Sequence, residues 1–209
     1  MLAAMRLLDV LVPPSCVACG GWAGRAEPLC AVCRGRLEWL GADVDGEVWA
    51  PVAYAGPARS VVAAVKFRGG WRAVDTMAAA VVAGAPAGWL SPGAVLVPVP
   101  LHPARRRTRG FNQASLLAQA IGSRAGLPVL SALVRGGSKA TQMGLGRGER
   151  LRRVAGSVSV ASGARVPSRV VLVDDVVTTG ATLAACRAAL LGAGAAEVRA
   201  VAYARTPGR

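Results

Sequence analysis

The stretch Val170–Leu183, which reads VVLVDDVVTTGATL, decides the fold of this chain. Its first four residues are all apolar and mostly β-branched, which predicts a buried central strand. Two adjacent carboxylates, Asp174 and Asp175, come next, and small and hydroxyl residues then lead into a helical pattern. We therefore expect a strand that delivers two acids to its carboxyl end, beside the N-terminus of a helix.

Such an edge of a sheet suits a sugar phosphate. Open α/β sheets bind ligands outside the carboxyl ends of their strands, and helix N-terminal amides attract phosphate. We predict that Asp174 and Asp175 accept hydrogen bonds from the two hydroxyls of a ribose. A phosphate would lie on the loop residues that follow, which are Thr178, Thr179, Gly180, Ala181 and Thr182. The alternative is that the acids only cap this turn. No GxxxxGK[ST] motif is present, which excludes a P-loop nucleotide hydrolase.

Beyond the first 45 or so residues, strand-like and helix-like runs alternate, with Gly and Pro between them. This pattern predicts an α/β fold with a parallel sheet flanked by helices. Strands are expected at Glu47–Tyr54, Ala94–Pro98, Val129–Val134, Val158–Val160, Val170–Val173 and Val198–Tyr203. Helices are expected at Pro57–Phe67, Arg72–Ala83, Asn112–Ala125 and Ala181–Leu191. The polar, Gly-rich segment Gly136–Gly156 predicts a mobile loop.

Four of the five cysteines form two CxxC pairs in the N-terminal segment: Cys16, Cys19, Cys30 and Cys33. Four thiolates match the closed tetrahedral site of structural zinc, with a disulfide pair or an iron site as alternatives. Nothing marks the chain as secreted, so disulfides are disfavoured. We predict a small zinc-ribbon-like module over residues 1–45, including an N-terminal helix, and a second domain over residues 46–209. Cys186 lies in a predicted helix, where a core role is expected.

The chain is strongly basic, with 25 Lys+Arg against 11 Asp+Glu and a net charge of +14. This excess favours polyanionic partners such as nucleic acid, nucleotide phosphates or an anionic membrane face; a solvated basic surface is the alternative. Aromatic residues make up only 4%, which leaves little material for base stacking. The longest apolar run, near Ala78 to Leu90, is short and broken by Gly and Pro, so no transmembrane segment is expected.

Several basic residues could contact phosphates. Four arginines lie close together after a predicted strand end: Arg105, Arg106, Arg107 and Arg109. They are candidates for pyrophosphate or nucleic-acid backbone contacts, or else belong to a solvated loop. Lys66 is a further candidate, although a cation near a helix end also stabilises the helix dipole. His102, the only histidine, is expected in a surface loop. No Ser-His-Asp set is visible, which argues against a hydrolase.

The Val170–Leu183 stretch resembles the phosphoribosyl-pyrophosphate fingerprint of type I phosphoribosyltransferases. The chain as a whole is similar to the ComF (ComFC-like) competence protein family. Besides the cysteine module, the motifs that carry this resemblance are Val65-Lys66-Phe67-Arg68-Gly69, Val97-Pro98-Val99-Pro100-Leu101, Arg109-Gly110-Phe111-Asn112-Gln113 and Thr141-Gln142. The resemblance implies a phosphoribosyltransferase domain joined to the zinc module.

By position, the resemblance implies that Asp174 and Asp175 bind the ribose of phosphoribosyl pyrophosphate and that Val177–Thr182 bind its 5′-phosphate, with Mg²⁺ accompanying the ligand. The segment after Pro98-Val99-Pro100 would face the pyrophosphate, and Gly136–Gly156 would close over the substrate. Arg153 stands where the family usually has Asn. The acceptor is not indicated.

The resemblance also implies a role in natural transformation. Imported single-stranded DNA would be handled in the cytoplasm, at the inner face of the membrane and near the DNA-import helicase machinery. Two functions therefore remain open. One is a phosphoribosyltransferase that uses phosphoribosyl pyrophosphate, and the other is a non-catalytic adaptor for single-stranded DNA that retains the fold.

Overall fold

The computed structural model describes residues 15–24, 27–41, 46–68, 71–136 and 158–207, apart from the side chains of Phe67, Arg68 and Trp71. The helices are α1 Ala31–Gly35, α2 Gly56–Arg68, α3 Trp71–Gly84, α4 Pro103–Arg109, α5 Gln113–Ala125 and α6 Ala181–Gly192. The strands are β1 Val48–Trp49, β2 Val52–Ala53, β3 Val95–Pro98, β4 Leu133–Arg135, β5 Val158–Val160, β6 Arg169–Val177 and β7 Glu197–Arg205. The predicted N-terminal helix falls outside these residues.

The main sheet is parallel, as the alternation of strands and helices predicts. Its strand order is β1-β7-β6-β3, and β2 continues along the outer side of β7. The two nine-residue strands, β6 and β7, form its centre. A separate antiparallel pair joins β4 and β5. Because the main strands are parallel, their carboxyl ends meet at one edge, where ligands bind in such sheets.

Helices cover both faces of the sheet. On one face, α2, α3 and α5 pack against side chains that include Val171, Val173 and Tyr203. On the other face, α6 and the β4–β5 pair pack against Val170 and Leu172 and their neighbours. All four residues from 170 to 173 are buried, as the continuous apolar run predicts for a central strand covered on both sides.

The cysteine module shares the core of the first face. Its buried residues Cys16, Leu29 and Cys33 belong to the same apolar cluster as α2 and α3. The chain that leaves the module pairs with β2 through an antiparallel bridge between Trp39 and Val52. The division into 1–45 and 46–209 stays a prediction, and the apolar core runs across it.

Several local predictions need correction. The single strand expected at Glu47–Tyr54 is wrong, because the structure has two short strands there, β1 and β2, separated by Ala50 and Pro51. The strand predicted at Val129–Val134 is wrong in its bounds, because Val129 makes only an isolated bridge with Leu96 and β4 is Leu133–Arg135. The Leu96 N–H donates to Pro128 O, and the Leu130 N–H donates to Leu96 O. The segment therefore pairs with β3 around Leu96 only. β6 is longer than predicted, since it continues through both acids to Val177. Among the described residues, no helix has the length and apolar character needed to cross a bilayer.

Candidate functional site

The four cysteines of the N-terminal module converge on one point. Their sulfur atoms all lie within 4.8 Å of one another, and the Sγ atoms of Cys19 and Cys30 are 3.8 Å apart. Ligands at about 2.3 Å from a tetrahedral zinc ion are about 3.8 Å apart, whereas a disulfide requires about 2.05 Å. The cysteines are free thiols. The geometry therefore fits a structural zinc site and does not fit a disulfide pair.

Local backbone structure aims these sulfurs. Gly20, with φ of +76°, closes the first turn, where its N–H donates to Cys16 O at 2.8 Å. In the second pair, Cys30 is the N-cap of α1, and its Sγ accepts from the Cys33 N–H at 3.5 Å. Each CxxC pair thus turns both of its thiols to the same side.

The thiols differ in acidity before any metal is considered. Burial raises the pKa of Cys16, but backbone N–H groups that donate to its sulfur outweigh this effect and lower the pKa to about 6. Burial and the neighbouring thiols raise the pKa of Cys33 to about 12. Four thiolates this close repel one another, and a dication at their centre would stabilise all four as zinc ligands.

The two acids of the central strand lie on opposite faces of the sheet. Because β6 extends to Val177, Asp174 and Asp175 are successive strand residues, and side chains alternate along a strand. Asp175 is on the face of α2, where its Oδ2 lies 2.8 Å from Lys66 Nζ. This contact is an ion pair outside the angles of a hydrogen bond. Asp174 Oδ1 accepts from the Asp175 N–H at 2.8 Å.

Asp174 shares a small cleft with the loop that follows β6. The cleft has a volume of about 40 Å³, and its lining contains the whole predicted phosphate loop: Asp174, Val176, Val177, Thr178, Thr179, Gly180, Ala181, Thr182 and Leu183. Gly180, with φ of +72°, is the N-cap of α6 and makes no side-chain cap. The Ala181 N–H reaches Thr179 Oγ1 at 3.5 Å. One acid and the start of a twelve-residue helix therefore border the same small space.

Burial perturbs Asp174. Desolvation raises the pKa of its carboxyl well above the usual range, and the charge of Asp175 adds to the effect. Burial also raises the pKa of Cys186 to about 12, with Asp174 contributing. A carboxyl in this setting gains from hydroxyl donors or a cation brought by a ligand, since either would stabilise its ionised form.

The segment proposed to face the pyrophosphate lies beside the acids. β3 pairs with β6 so that Pro98 is opposite Val173, and the Val99 N–H donates to Val173 O at 2.9 Å. Asn112, the N-cap of α5, donates from Nδ2 to Val99 O at 2.9 Å. The carboxyl end of β3, its following segment and the start of α5 are therefore held at the same sheet edge as Asp174.

The arginine cluster lies on the helix α4, which was not predicted from the sequence. His102 is the N-cap of α4, and its Nδ1 accepts from the Ala104 N–H at 3.2 Å. Pro103 occupies the first turn, where proline is favoured. Three of the four arginines, Arg105, Arg106 and Arg107, are exposed, and Arg109 is half-buried. The sequence signal for this helix was His102 followed by Pro103 at its start. A helix of seven residues with no buried side chain lacks the apolar periodicity from which helices are usually predicted.

Lys66 was a candidate phosphate ligand like these arginines, but in the structure it forms an ion pair with an acidic residue. Its ammonium group faces Asp175, so Lys66 stands with the acidic residues and not with the arginines. No local sequence pattern indicates this pairing. The predicted closing loop, Gly136–Gly156, lies outside the described residues except for Gly136, and Arg153 lies outside them as well.

Two segments of the chain match models of known domains. Residues 7–44 match the double zinc ribbon domain, and residues 147–209 match the phosphoribosyl transferase domain. Competence protein F of Haemophilus influenzae is 41% identical over 91 residues, which are 42% of this chain and 40% of that protein. Competence protein ComFC of Streptococcus pneumoniae is 36% identical over 103 residues, which are 49% of this chain and 44% of that protein. The match thus spans less than half the length of either relative.

Among solved structures, a hypoxanthine phosphoribosyltransferase from Staphylococcus aureus aligns with 64% of this chain and 64% of its own, at 15% identity and a TM-score of 0.40. This similarity is too distant to support any conclusion beyond those from the two domain matches. The sheet, the cysteine cluster and the matched domains confirm the fold expected from the sequence. The chain thus matches the double zinc ribbon domain in its N-terminal segment and the phosphoribosyl transferase domain in its last 63 residues, and it is similar to the ComF-type competence proteins.

Proposed function

We propose that this protein binds phosphoribosyl pyrophosphate together with Mg²⁺ and serves in DNA uptake. The observation that carries the proposal is the shared cleft of Asp174 and the Val177–Thr182 loop at the start of α6. The match of residues 147–209 to the phosphoribosyl transferase domain supports it. Similarity to two competence proteins supports the link to natural transformation.

Each part of the ligand has a candidate partner. The 5′-phosphate would lie on the loop, where first-turn amides and threonine hydroxyls donate. Asp174 would accept from a ribose hydroxyl. Asp175 would accept from the other, because a carboxylate has several lone pairs and can bind a hydroxyl while it faces Lys66. The pyrophosphate would extend toward the segment after β3, which begins beside Val173.

Such a site supports phosphoribosyl transfer. A nucleophile on the acceptor would form a bond to the ribose C1 as the bond from C1 to pyrophosphate breaks, and pyrophosphate would leave with the electron pair. Mg²⁺ would supply charge stabilisation for the departing anion. The chain's own contribution is to hold the phosphate and the sugar in place, which requires no protein nucleophile.

Calorimetric titration with phosphoribosyl pyrophosphate and Mg²⁺ tests this function. We expect wild-type protein to bind and the double variant Asp174→Asn, Asp175→Asn to bind at least about tenfold more weakly, which corresponds to about 1.4 kcal/mol. Asp75→Asn is the matched control, because Asp75 is an exposed acid on α3 that pairs with Arg124. Equal affinity in the double variant and the control would contradict the proposal.

A second candidate function is handling of single-stranded DNA by the basic helix α4. The specific observation is that Arg105, Arg106 and Arg107 are all exposed on one short helix of a chain with net charge +14. Contacts from arginine to phosphate are sequence-independent and weaken steeply with salt. Partners would then be imported DNA and the helicase machinery of DNA import, at the cytoplasmic face of the membrane.

The salt dependence of DNA binding tests this second function. Replacing these three arginines with Gln should reduce the slope of log affinity against log salt by about 2 for a single strand. A second triple variant, Arg34→Gln, Arg36→Gln and Arg124→Gln, removes the same charge from exposed positions elsewhere. If both variants lose the same slope, only the overall charge matters, and α4 is not the DNA site.

A further inference from the structure

The segment that leaves the cysteine module continues the main sheet beyond β2. Trp39 forms an antiparallel bridge with Val52, a residue of β2 that pairs with β7 on its other side. Residues 38–40 therefore lie at the outer edge of the sheet. Among the residues that the structure describes, no strand pairs with the far side of this edge segment.

The hydrogen bonds of this bridge leave the backbone of Trp39 facing outward. Both bonds belong to its neighbours. Glu38 O accepts from the Ala53 N–H at 2.8 Å, and the Leu40 N–H donates to Pro51 O at the same distance. In an antiparallel pair, a residue between two such bonds points its own N–H and C=O away from the partner strand. No described group bonds to the N–H or C=O of Trp39, so both are open to an added strand.

An apolar groove lies beside this edge. Its volume is about 360 Å³, and the described residues that line it include no charged side chain. Its walls come from the edge segment, from β1 and its neighbour, and from the last turns of α3, and they include Trp39, Trp49, Pro51, Ala80, Ala83 and Gly84. Trp39 is nevertheless 59% exposed. Pockets that bind small molecules begin at roughly 300 Å³, so the groove has room for a large apolar side chain.

Open backbone groups beside an apolar groove are the two requirements for recognition by strand addition. In this mode an extended peptide pairs with a free sheet edge through main-chain hydrogen bonds, and pockets for alternate side chains provide specificity. A peptide residue opposite Trp39 would exchange both N–H···O bonds with it, at a Cα separation of about 5.5 Å. Its side chain would lie on the same face as the indole of Trp39. Because that indole lines the groove, the side chain of the peptide would enter it.

The charge of the chain distinguishes between the possible occupants of this edge. Arg36 and Glu38 are both exposed there and oppose each other, so the field of the whole chain decides. The net charge of the chain is +14. This field repels a second copy of the chain and attracts an acidic segment.

We propose that the sheet edge at Trp39 binds an extended acidic segment of a partner protein. The segment has apolar side chains at alternate positions; it adds to the sheet as a strand and places one of these side chains in the groove. The inference is independent of the proposed function, because none of the residues that line the groove lines the cleft of Asp174.

The first test uses two synthetic peptides that differ in charge. The acetylated and amidated peptide Glu-Val-Glu-Leu-Glu-Val-Glu carries the proposed pattern, and in the second peptide Lys replaces every Glu. Fluorescence anisotropy of labelled peptides measures their binding to the full chain. We expect the acidic peptide to bind at least about tenfold more tightly than the basic one, and added salt to reduce this preference. If the acidic peptide does not bind, or binds no more tightly than the basic one, the proposal is wrong.

Two variants of Trp39 separate pairing at this edge from general attraction to a basic protein. Trp39→Ala and Trp39→Pro both lose the indole and keep the net charge, but only proline also removes the N–H. Proline is tolerated at a sheet edge whose N–H faces solvent. Trp39→Pro should therefore bind the acidic peptide about fivefold more weakly than Trp39→Ala, the loss expected for one backbone hydrogen bond. Equal affinity of the two variants would contradict strand addition.

Two measurements on the wild-type protein avoid any dependence on how the variants fold. Hydrogen exchange followed by nuclear magnetic resonance should show the Trp39 amide exchanging at least about tenfold more slowly when the acidic peptide is saturating, because the amide is then hydrogen-bonded. An unchanged rate would overturn the proposal. Sedimentation velocity should show a monomer without peptide. A wild-type dimer that Trp39→Pro converts to monomers would mean that a second copy occupies the edge, and it would also overturn the proposal.

Discussion

Lys66 and Asp175 form an ion pair that joins helix α2 to the central strand β6, with Nζ and Oδ2 2.8 Å apart. The side chains are only 21% and 13% exposed. Removing one partner of such a pair leaves a poorly solvated charge, which costs more than the loss of an exposed pair. The ion pair therefore holds Asp175, a proposed ribose ligand, against helix α2.

We predict that Lys66→Met lowers the free energy of unfolding by about 2–3 kcal/mol, somewhat below the range for fully buried pairs. Adding Asp175→Asn to this variant should recover part of the loss, because the uncompensated charge is then gone. Urea denaturation measures both changes. The exposed pair of Arg124 and Asp75 provides the control, since Arg124→Met should cost less than about 1 kcal/mol. Similar losses in the two single variants would contradict the prediction.

Asp174 should make stability depend on pH. Its pKa in the folded protein is raised above the ordinary value of 3.8, chiefly by burial. Between the ordinary and the raised value, the folded state binds more protons than the unfolded state, so the free energy of unfolding falls as pH rises through this window. Asp174→Asn cannot titrate, and its Oδ1 can still accept from the Asp175 N–H.

We therefore expect the stability of Asp174→Asn relative to wild type to increase with pH across this window, by up to about 1.4 kcal/mol per pH unit. Below the ordinary pKa the difference between the two proteins should be constant. Urea denaturation at a series of pH values from acid to neutral measures this difference. Parallel stability curves for the two proteins over the whole series would show that Asp174 does not have a raised pKa.

Local sequence explains which features could be predicted. The four apolar residues before Asp174 require burial on both faces, so β6 is recognisable without its neighbours. Each CxxC pair is recognisable from its spacing, because each of these turns is local and brings two sulfurs together. Helix α5 is marked at both ends, by the Asn112 cap and by Gly126 with φ of +68°. In each case the determining contacts lie within a few residues of one another along the chain.

Long-range contacts explain the rest. β6 runs through its two acids because β7 pairs with it there, with Ala202 opposite Asp174 and Ala204 opposite Val176. A predicted strand is normally ended at polar residues, and no residue close in sequence to Asp174 indicates that β7 pairs with this part of β6. For the same reason the sequence did not reveal that the two acids point to opposite faces, or that Lys66 meets one of them.

The cysteine cluster predicts a clear result for zinc content. Cys30→Ser should retain far less zinc than the wild type, which should hold about one ion per cluster of four thiolates. Its thermal midpoint should also fall, because buried residues of the module share a core with α2 and α3. Metal analysis of the purified protein measures the first effect, and calorimetry measures the second.

Cys186→Ser is the control for that experiment. Cys186 is a fully buried residue of α6 in the other apolar cluster, so serine should destabilise the protein there without releasing zinc. The two variants therefore differ in metal content even if both melt early. Equal zinc in Cys30→Ser and wild-type protein would show that the four sulfurs do not form the metal site.

The surroundings of Gly122 determine how closely the last turn of α5 packs on the segment that follows it. A Cβ atom at this position would lie 2.7 Å from Leu127 O and 3.0 Å from Val129 Cγ2. The segment it would push is held to β3, since the Leu96 N–H donates to Pro128 O at 2.9 Å. The backbone cannot withdraw without breaking this bond, so Gly122→Ala should cost about 1–3 kcal/mol, the usual range for overpacking.

Gly192 offers the matched comparison, because it is also helical but a Cβ atom there meets nothing within 4 Å. Gly192→Ala should leave stability unchanged or raise it by up to about 1 kcal/mol, since alanine has the higher helix propensity. Urea midpoints of the two variants measure the contrast. If Gly122→Ala proved as stable as Gly192→Ala, α5 would have room to move away from β3, and the close packing at this end of the sheet would be wrong.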